Sequence, residues 1–144
     1  MVCNTILEII ITSMYEKDFN KWNNQKKELD EITYVNVYFK EREIWWSKLG
    51  LNVGFEQDGK GDQFKRPILI LKKFNKNVIL VVPLTTKKKM SKYYVECIVN
   101  KDAMFRMSII SQIRLIDSKR LVDKIGMINS VSFTEIKKQI RAFF

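Results

Sequence analysis

The chain is 144 residues long, the size of one compact domain of roughly 100 to 150 residues with a short appendage. Hydrophobic residues make up 46% and aromatics 12%, enough to fill a core, which excludes a disordered, collagen-like or low-complexity chain. Lys and Arg number 26 against 16 Asp and Glu, a formal charge of +10 that points to a polyanionic partner, and the absence of His excludes imidazole chemistry.

Taken from the N-terminus, Ile11, Tyr15, Phe19, Trp22 and Leu29 recur mostly at spacings of three and four, so residues 7–31 are expected to form an amphipathic helix. A strand-like stretch, Tyr34 to Phe39, follows. Charge divides the chain at this point. Residues 1–42 carry 6 basic and 7 acidic side chains, whereas residues 43–144 carry 20 and 9. A two-part organisation is therefore expected, an N-terminal helical extension at 1–42 and a basic domain at 43–144. Cys3 and Cys97 form no Cys-x-x-Cys pair, so neither a disulfide framework nor a thiolate metal site is expected. Glu8 interrupts the first apolar stretch, and no uncharged run approaches the ~18–20 apolar residues of a membrane span. The expectation is a cytoplasmic protein that does not enter a membrane.

From Glu43 the texture changes to short β-branched and aromatic runs separated by turn residues. Strands are expected at Glu43 to Leu49, Pro67 to Leu71, Val78 to Pro83, Tyr93 to Val99 and Met107 to Ile116. Residues 74–77 should form a hairpin connection. The near-continuous apolar runs at 68–71 and 78–82 indicate strands buried on both faces. Trp45 and Trp46 should point to opposite faces of the first strand. Ser132-Phe133-Thr134-Glu135 matches a capping box and is expected to start a closing helix, with Ile136, Ile140 and Phe143 on one face. The fold class is mixed and β-dominant, with helices at the two ends.

Gly50, Gly54, Gly59 and Gly61 fall between the first two of these strands, in a long loop expected to be mobile, which ends at Arg66-Pro67. It is not a P-loop, because Gly-x-x-x-x-Gly-Lys-[Ser/Thr] is not matched. An ordinary hairpin arm and a flap over a surface groove both fit its composition.

The series Ile44-Trp45-Trp46, Gly54-Phe55-Glu56-Gln57, Arg66-Pro67-Ile68-Leu69-Ile70, Pro83-Leu84-Thr85 and Ser111-Gln112-Ile113-Arg114-Leu115-Ile116-Asp117-Ser118-Lys119-Arg120-Leu121 resembles the MazF/PemK family of toxin endoribonucleases in order and spacing. The resemblance covers about residues 43–144. It implies an SH3-like, CcdB/MazF-like small β-barrel with short helices, usually a homodimer, that cleaves single-stranded RNA with no metal or cofactor and is neutralised by a cognate antitoxin protein. The sequence departs from the family pattern where Arg42-Glu43 replaces a frequent Gly-Asp, in a longer loop at 57–66, and in the extension 1–42. That extension is expected to lie over the RNA groove in cis, to pack on the barrel away from the groove, or to widen the dimer interface. Because the gyrase poison CcdB shares this architecture, a non-catalytic interaction protein is the alternative.

RNA cleavage by 2′-OH attack on the adjacent phosphorus needs a base, a cation against the developing phosphorane charge, and an acid for the 5′ leaving oxygen. Arg66 suits the cation, since its planar fork binds two phosphate oxygens and stays charged. Thr85 matches the family's threonine after the third strand and would hydrogen-bond the scissile phosphate. Glu56 is either the general base or a solvated loop carboxylate. Gln112 and Arg114, expected to share a strand face, are candidates for base or phosphate contacts, with Gln57 and Lys65 on the loop. Lys87, Lys88 and Lys89 form a basic run placed to track an RNA backbone, and Phe55 and Phe64 are candidates for base stacking. Asp117 and Arg120 are expected to cap and anchor a short helix.

Overall fold

The computed structural model describes residues 16–33, 37–99 and 105–144. Cys3, the positions before residue 16 that are expected to be helical, including Ile11 and Tyr15, and residues 34–36 of the expected strand-like stretch lie outside the described residues; residues 16–18, also expected to be helical, form no helix. Helix α1 spans Phe19–Glu31 and is capped by the Asp18 carboxylate, which accepts from the Lys21 N–H at 3.0 Å. Residues 37–40 form no strand.

Seven strands follow, β1 (Glu43–Lys48), β2 (Lys65–Lys73), β3 (Val78–Thr85), β4 (Tyr94–Ile98), β5 (Phe105–Ile109), β6 (Arg114–Asp117) and β7 (Leu121–Met127). The closing helix, α2, spans Ser130–Arg141. The strands pair antiparallel in the order β4-β5-β3-β2-β1-β7, with β6 also on β3. A bridge between Val99 and Ile128 joins the two ends of this order, which curls the sheet into a small barrel.

β2 and β3 are central and buried on both faces, as their apolar runs require. Leu69, Leu71, Val82 and Leu84 enter one core with Ile44, Cys97, Ile110 and the α2 residues Phe133 and Ile136. Their strand neighbours Ile68, Ile70, Ile79 and Val81 point the other way and pack with Phe39, Trp45, Leu49, Ile116 and Leu121. Trp45 is thus core, and Trp46 faces outward, half-buried.

Within the barrel and its closing helix, the element boundaries differ from the sequence reading in three further places. The single strand expected at 107–116 is two strands separated by a 3₁₀ turn at Ile110–Gln112. β5 pairs with the end of β3 (Leu84 with Ser108) and β6 with its beginning (Val81 with Arg114); the register shifts by three residues between them, the length of that turn. Second, α2 starts two residues earlier than Ser132, because the Asn129 side chain accepts from the Ser132 N–H at 2.7 Å and so takes the N-cap position. Third, no strand is expected at 121–127, where Asp123-Lys124 and Gly126 interrupt the apolar residues, yet β7 pairs along β1. Arg42, where the family often has Gly, adopts φ +76°, in the left-handed region that favours glycine, and its guanidinium donates to the Ile128 carbonyl at 2.9 Å.

Candidate active site

Arg66 is the second residue of β2, just before Pro67, whose ring disfavours helical geometry at Arg66 and keeps it extended. Its Nε donates to the Asp58 carbonyl at 2.6 Å and its Nη1 to the Leu84 carbonyl at 3.2 Å. The guanidinium is therefore held between the β1–β2 loop and the end of β3, with three of its five N–H groups left for a ligand. Burial pushes its pKa below the ordinary arginine value, and the neighbouring Asp58 offsets part of that. The group remains a cation at neutral pH.

Thr85 ends β3 beside Leu84. Its Oγ1 accepts from the Lys87 N–H at 3.2 Å, which leaves the hydroxyl proton to donate outward. Arg66 and Thr85 line one cleft of about 440 Å³ together with Trp46, Lys60, Lys65, Pro67, Thr86 and Arg106. The Lys65 ammonium lies 5.9 Å from the centre of the Trp46 ring. A fixed guanidinium, a donating hydroxyl and a lysine at the rim form a receptor for a phosphate-sized anion. The exposed basic run Lys87, Lys88 and Lys89 leaves the cleft directly after Thr86, and the Lys89 ammonium sits 5.2 Å from the Tyr94 ring.

Glu56, Gln57, Gln112 and Arg114 form a second group that does not line the cleft. The Gln112 amide is used at both ends: Oε1 accepts from the Gln57 N–H at 3.3 Å and Nε2 donates to the Phe55 carbonyl at 3.1 Å. Gln112 therefore pins the loop, and it does so from a turn rather than from a strand face shared with Arg114. Glu56 accepts from the Val53 N–H at 2.8 Å. Burial lowers the pKa of Arg114, opposed by the nearby charge of Glu56. Phe55 is fully exposed at 97% and open to stacking.

Phe64 is placed differently from the expectation. It is only 8% exposed and packs edge-on against Trp22 of α1, ring centres 5.7 Å apart, so its face is spent inside the protein. The loop it belongs to is stitched together rather than open. The Gly59 N–H donates to the Gly50 carbonyl at 2.7 Å, and Gly59 lies so close to the Phe64 carbonyl that a Cβ there would collide with backbone. The Asp58 carboxylate accepts from the Asn52 N–H at 2.6 Å and pairs with the Lys17 ammonium at 2.9 Å. α1 thus packs on the loop from behind, and none of its residues lines the cleft.

Asp117 and Arg120 serve as expected. Asp117 caps the turn Ser118–Arg120, and the Arg120 Nη1 donates to the carbonyls of Lys48 and Leu49 at 3.0 and 3.1 Å. The sequence reading missed Trp46 as a cleft residue, and it missed Lys60 and Arg106. The one signal for Arg106 was a basic residue inside an apolar strand run.

The family model of the PemK-like, MazF-like toxin of type II toxin–antitoxin systems matches residues 40–144. Among solved structures, MazF from Deinococcus radiodurans superposes with a TM-score of 0.62 at 16% identity, covering 75% of this chain and 97% of its own. The toxin MazF-mt6 of Mycobacterium tuberculosis gives 0.54 at 20% identity, covering 71% and 96%. An endoribonuclease in complex with its cognate antitoxin from a mycobacterial species gives 0.54 at 15% identity, covering 73% and 93%. At these identities the superpositions show a shared fold. No curated protein matches the chain. No helix among the described residues is long and apolar enough to cross a membrane.

Proposed function

From the premise that the chain belongs to the PemK-like, MazF-like toxin family of type II toxin–antitoxin systems, we propose that it is the toxin of such a pair and an endoribonuclease acting on single-stranded RNA. The observation that carries this reading is the single cleft that holds Arg66 and Thr85 side by side. Residues 43–144 are the catalytic unit and residues 1–42 an extension, of which Lys17 and α1 brace its loop. A cognate antitoxin and a second copy of the chain are its proposed partners.

In the proposed reaction the ribose 2′-oxygen attacks the adjacent phosphorus, the bond from phosphorus to the 5′-oxygen breaks, the leaving 5′-oxygen takes a proton from water, and a 2′,3′-cyclic phosphate and a free 5′-hydroxyl result. Arg66 and the Thr85 hydroxyl hold the non-bridging oxygens as negative charge grows on them. Glu56 lies outside the cleft, beside Arg114, and takes the 2′ proton only when the loop that carries it closes over the substrate, and Phe55 and the Lys87–Lys89 run engage bases and backbone. With no histidine in the sequence, and no group of three metal-binding side chains among the described residues, the reaction is proposed to need no metal.

Purified protein should therefore cleave single-stranded RNA in the presence of EDTA, as read on a denaturing gel. Activity that disappears on chelation and returns with a divalent cation would sink the metal-free mechanism. Inhibition of gyrase with RNA left intact would favour the interaction protein instead. For Glu56→Gln, kcat should fall by roughly 10² with KM little changed, and the loss of rate towards acid pH should vanish from the pH profile. The sign follows from the role: a base works only when deprotonated, so its protonation removes activity as pH falls. An acid limb that survives the substitution would leave Glu56 only its bond to Val53.

A further inference from the structure

The cleft contains a second guanidinium that the mechanism above does not use. Arg106 lies in β5, where it pairs with Cys97 of β4, and the next residue, Met107, pairs with Thr85 of β3. This register carries the Arg106 side chain into the cleft that holds Arg66, Thr85 and Thr86. Arg106 is only 6% exposed, and its Nε is buried with no hydrogen-bond partner. No described residue accepts a hydrogen bond from it or pairs with its charge.

A buried cation with no partner among the described residues opposes folding, and an apolar side chain would serve the surrounding strand better. The Cys97 thiol beside it does not balance the charge, because burial pushes that thiol up to about 12 and keeps it protonated at neutral pH. Burial also lowers the pKa of Arg106, though from a value that leaves it charged. Arg66 has two N–H groups committed to backbone carbonyls, whereas all five donors of Arg106 are uncommitted among the described residues. An anion entering the cleft would supply the missing charge and the missing acceptors together.

We propose that Arg106 binds a backbone phosphate flanking the one held by Arg66 and Thr85, and so forms a second phosphate subsite of the cleft. The assignment rests on the reading of the cleft as an RNA site. It locates the strongest sequence-independent grip on the substrate, because a phosphate contact fixes the position of the strand without reading its bases.

The test uses a single-stranded oligonucleotide made non-cleavable by 2′-O-methylation, bound to the full-length protein across a salt series. Arg106→Met should weaken binding roughly 10-fold, equally for unrelated sequences, and should make the log–log salt slope shallower by about 0.7. With cleavable RNA, its KM should rise by the same factor, while kcat falls far less than in Arg66→Ala. The melting temperature of the free variant should rise by a few degrees, since the substitution removes a buried charge that no described residue balances. Unchanged affinity and salt slope in a folded Arg106→Met protein would overturn the subsite. A loss confined to kcat would overturn its flanking position.

Should Arg106→Met fail to fold, Arg106→Lys keeps the charge without the fork and must still weaken analogue binding; wild-type affinity in that variant overturns the proposal. If the unaltered protein binds the analogue but cleaves no RNA, the proposed enzymatic function fails, while the dependence on Arg106 still decides the subsite.

Discussion

Arg66→Ala should abolish RNA cleavage, lowering kcat by about 10²-fold or more while the protein stays folded. The expectation follows from how the guanidinium is held. Two bonds to the carbonyls of Asp58 and Leu84 fix its plane, so it meets the developing charge without reorganising. Alanine would leave those two carbonyls without their donor, at a cost of about 1 kcal/mol each, which a domain with two well-packed cores withstands. Arg66→Lys should recover little, because an ammonium cannot bond both carbonyls and still present a fork to phosphate. Single-turnover kinetics together with circular dichroism would decide the matter. Near-normal turnover in folded Arg66→Ala would transfer the cationic role to Lys65 or Arg106.

Trp22→Ala should be the most destabilising single change in α1, at about 3–5 kcal/mol. The indole is almost fully buried between Phe64 and Gly50, with the Arg120 guanidinium 5.8 Å from its ring centre. Its loss would uncover Phe64 and leave Leu29 and Leu51 with a depleted cluster. Gly50→Ala should act in the same direction by the opposite route. Its φ of +80° suits glycine, and a Cβ there would overlap the Trp22 ring, so the helix could not seat. Urea unfolding of both variants provides the measurement, with hydrogen exchange in α1 as the local readout. A cost below about 1 kcal/mol for Trp22→Ala would mean that the helix docks without its aromatic anchor.

These two expectations bear on different parts of the chain, and the parts are joined through one residue. The Asp58 carboxylate is bound by Lys17 of the extension, and its carbonyl is bound by Arg66 of the cleft. Loosening α1 therefore reaches the Arg66 guanidinium through the loop, without any described residue of the extension lining the cleft. A Trp22→Ala protein that remains folded should accordingly lose turnover before it loses RNA affinity.

Much of this arrangement was legible in the sequence because it depends on local rules. β1 to β3 are marked by runs of apolar and β-branched residues, and the inside–outside division of Trp45 and Trp46 follows from the two-residue period of a strand. Arg66-Pro67 and Pro83-Leu84-Thr85 stood out through the family resemblance, and β2 and β3 pair antiparallel so that both lie at one cleft. The extension's helix showed in the spacing of Phe19, Trp22 and Leu29. What tertiary structure alone decided involves residues distant in sequence. Phe64 became core because a helix some 40 residues earlier covers it, and Gln112 became a loop anchor because the Ile110–Gln112 turn meets the Phe55–Gln57 backbone. The cap of α2 fell to Asn129 rather than Ser132 because Ile128, bridged to Val99, sets where the chain leaves the sheet. Arg106 reads as an ordinary basic residue until β5 is placed between β4 and the end of β3. Burial, and with it the cost of an unpaired charge, is a property of that pairing and not of any local window of sequence.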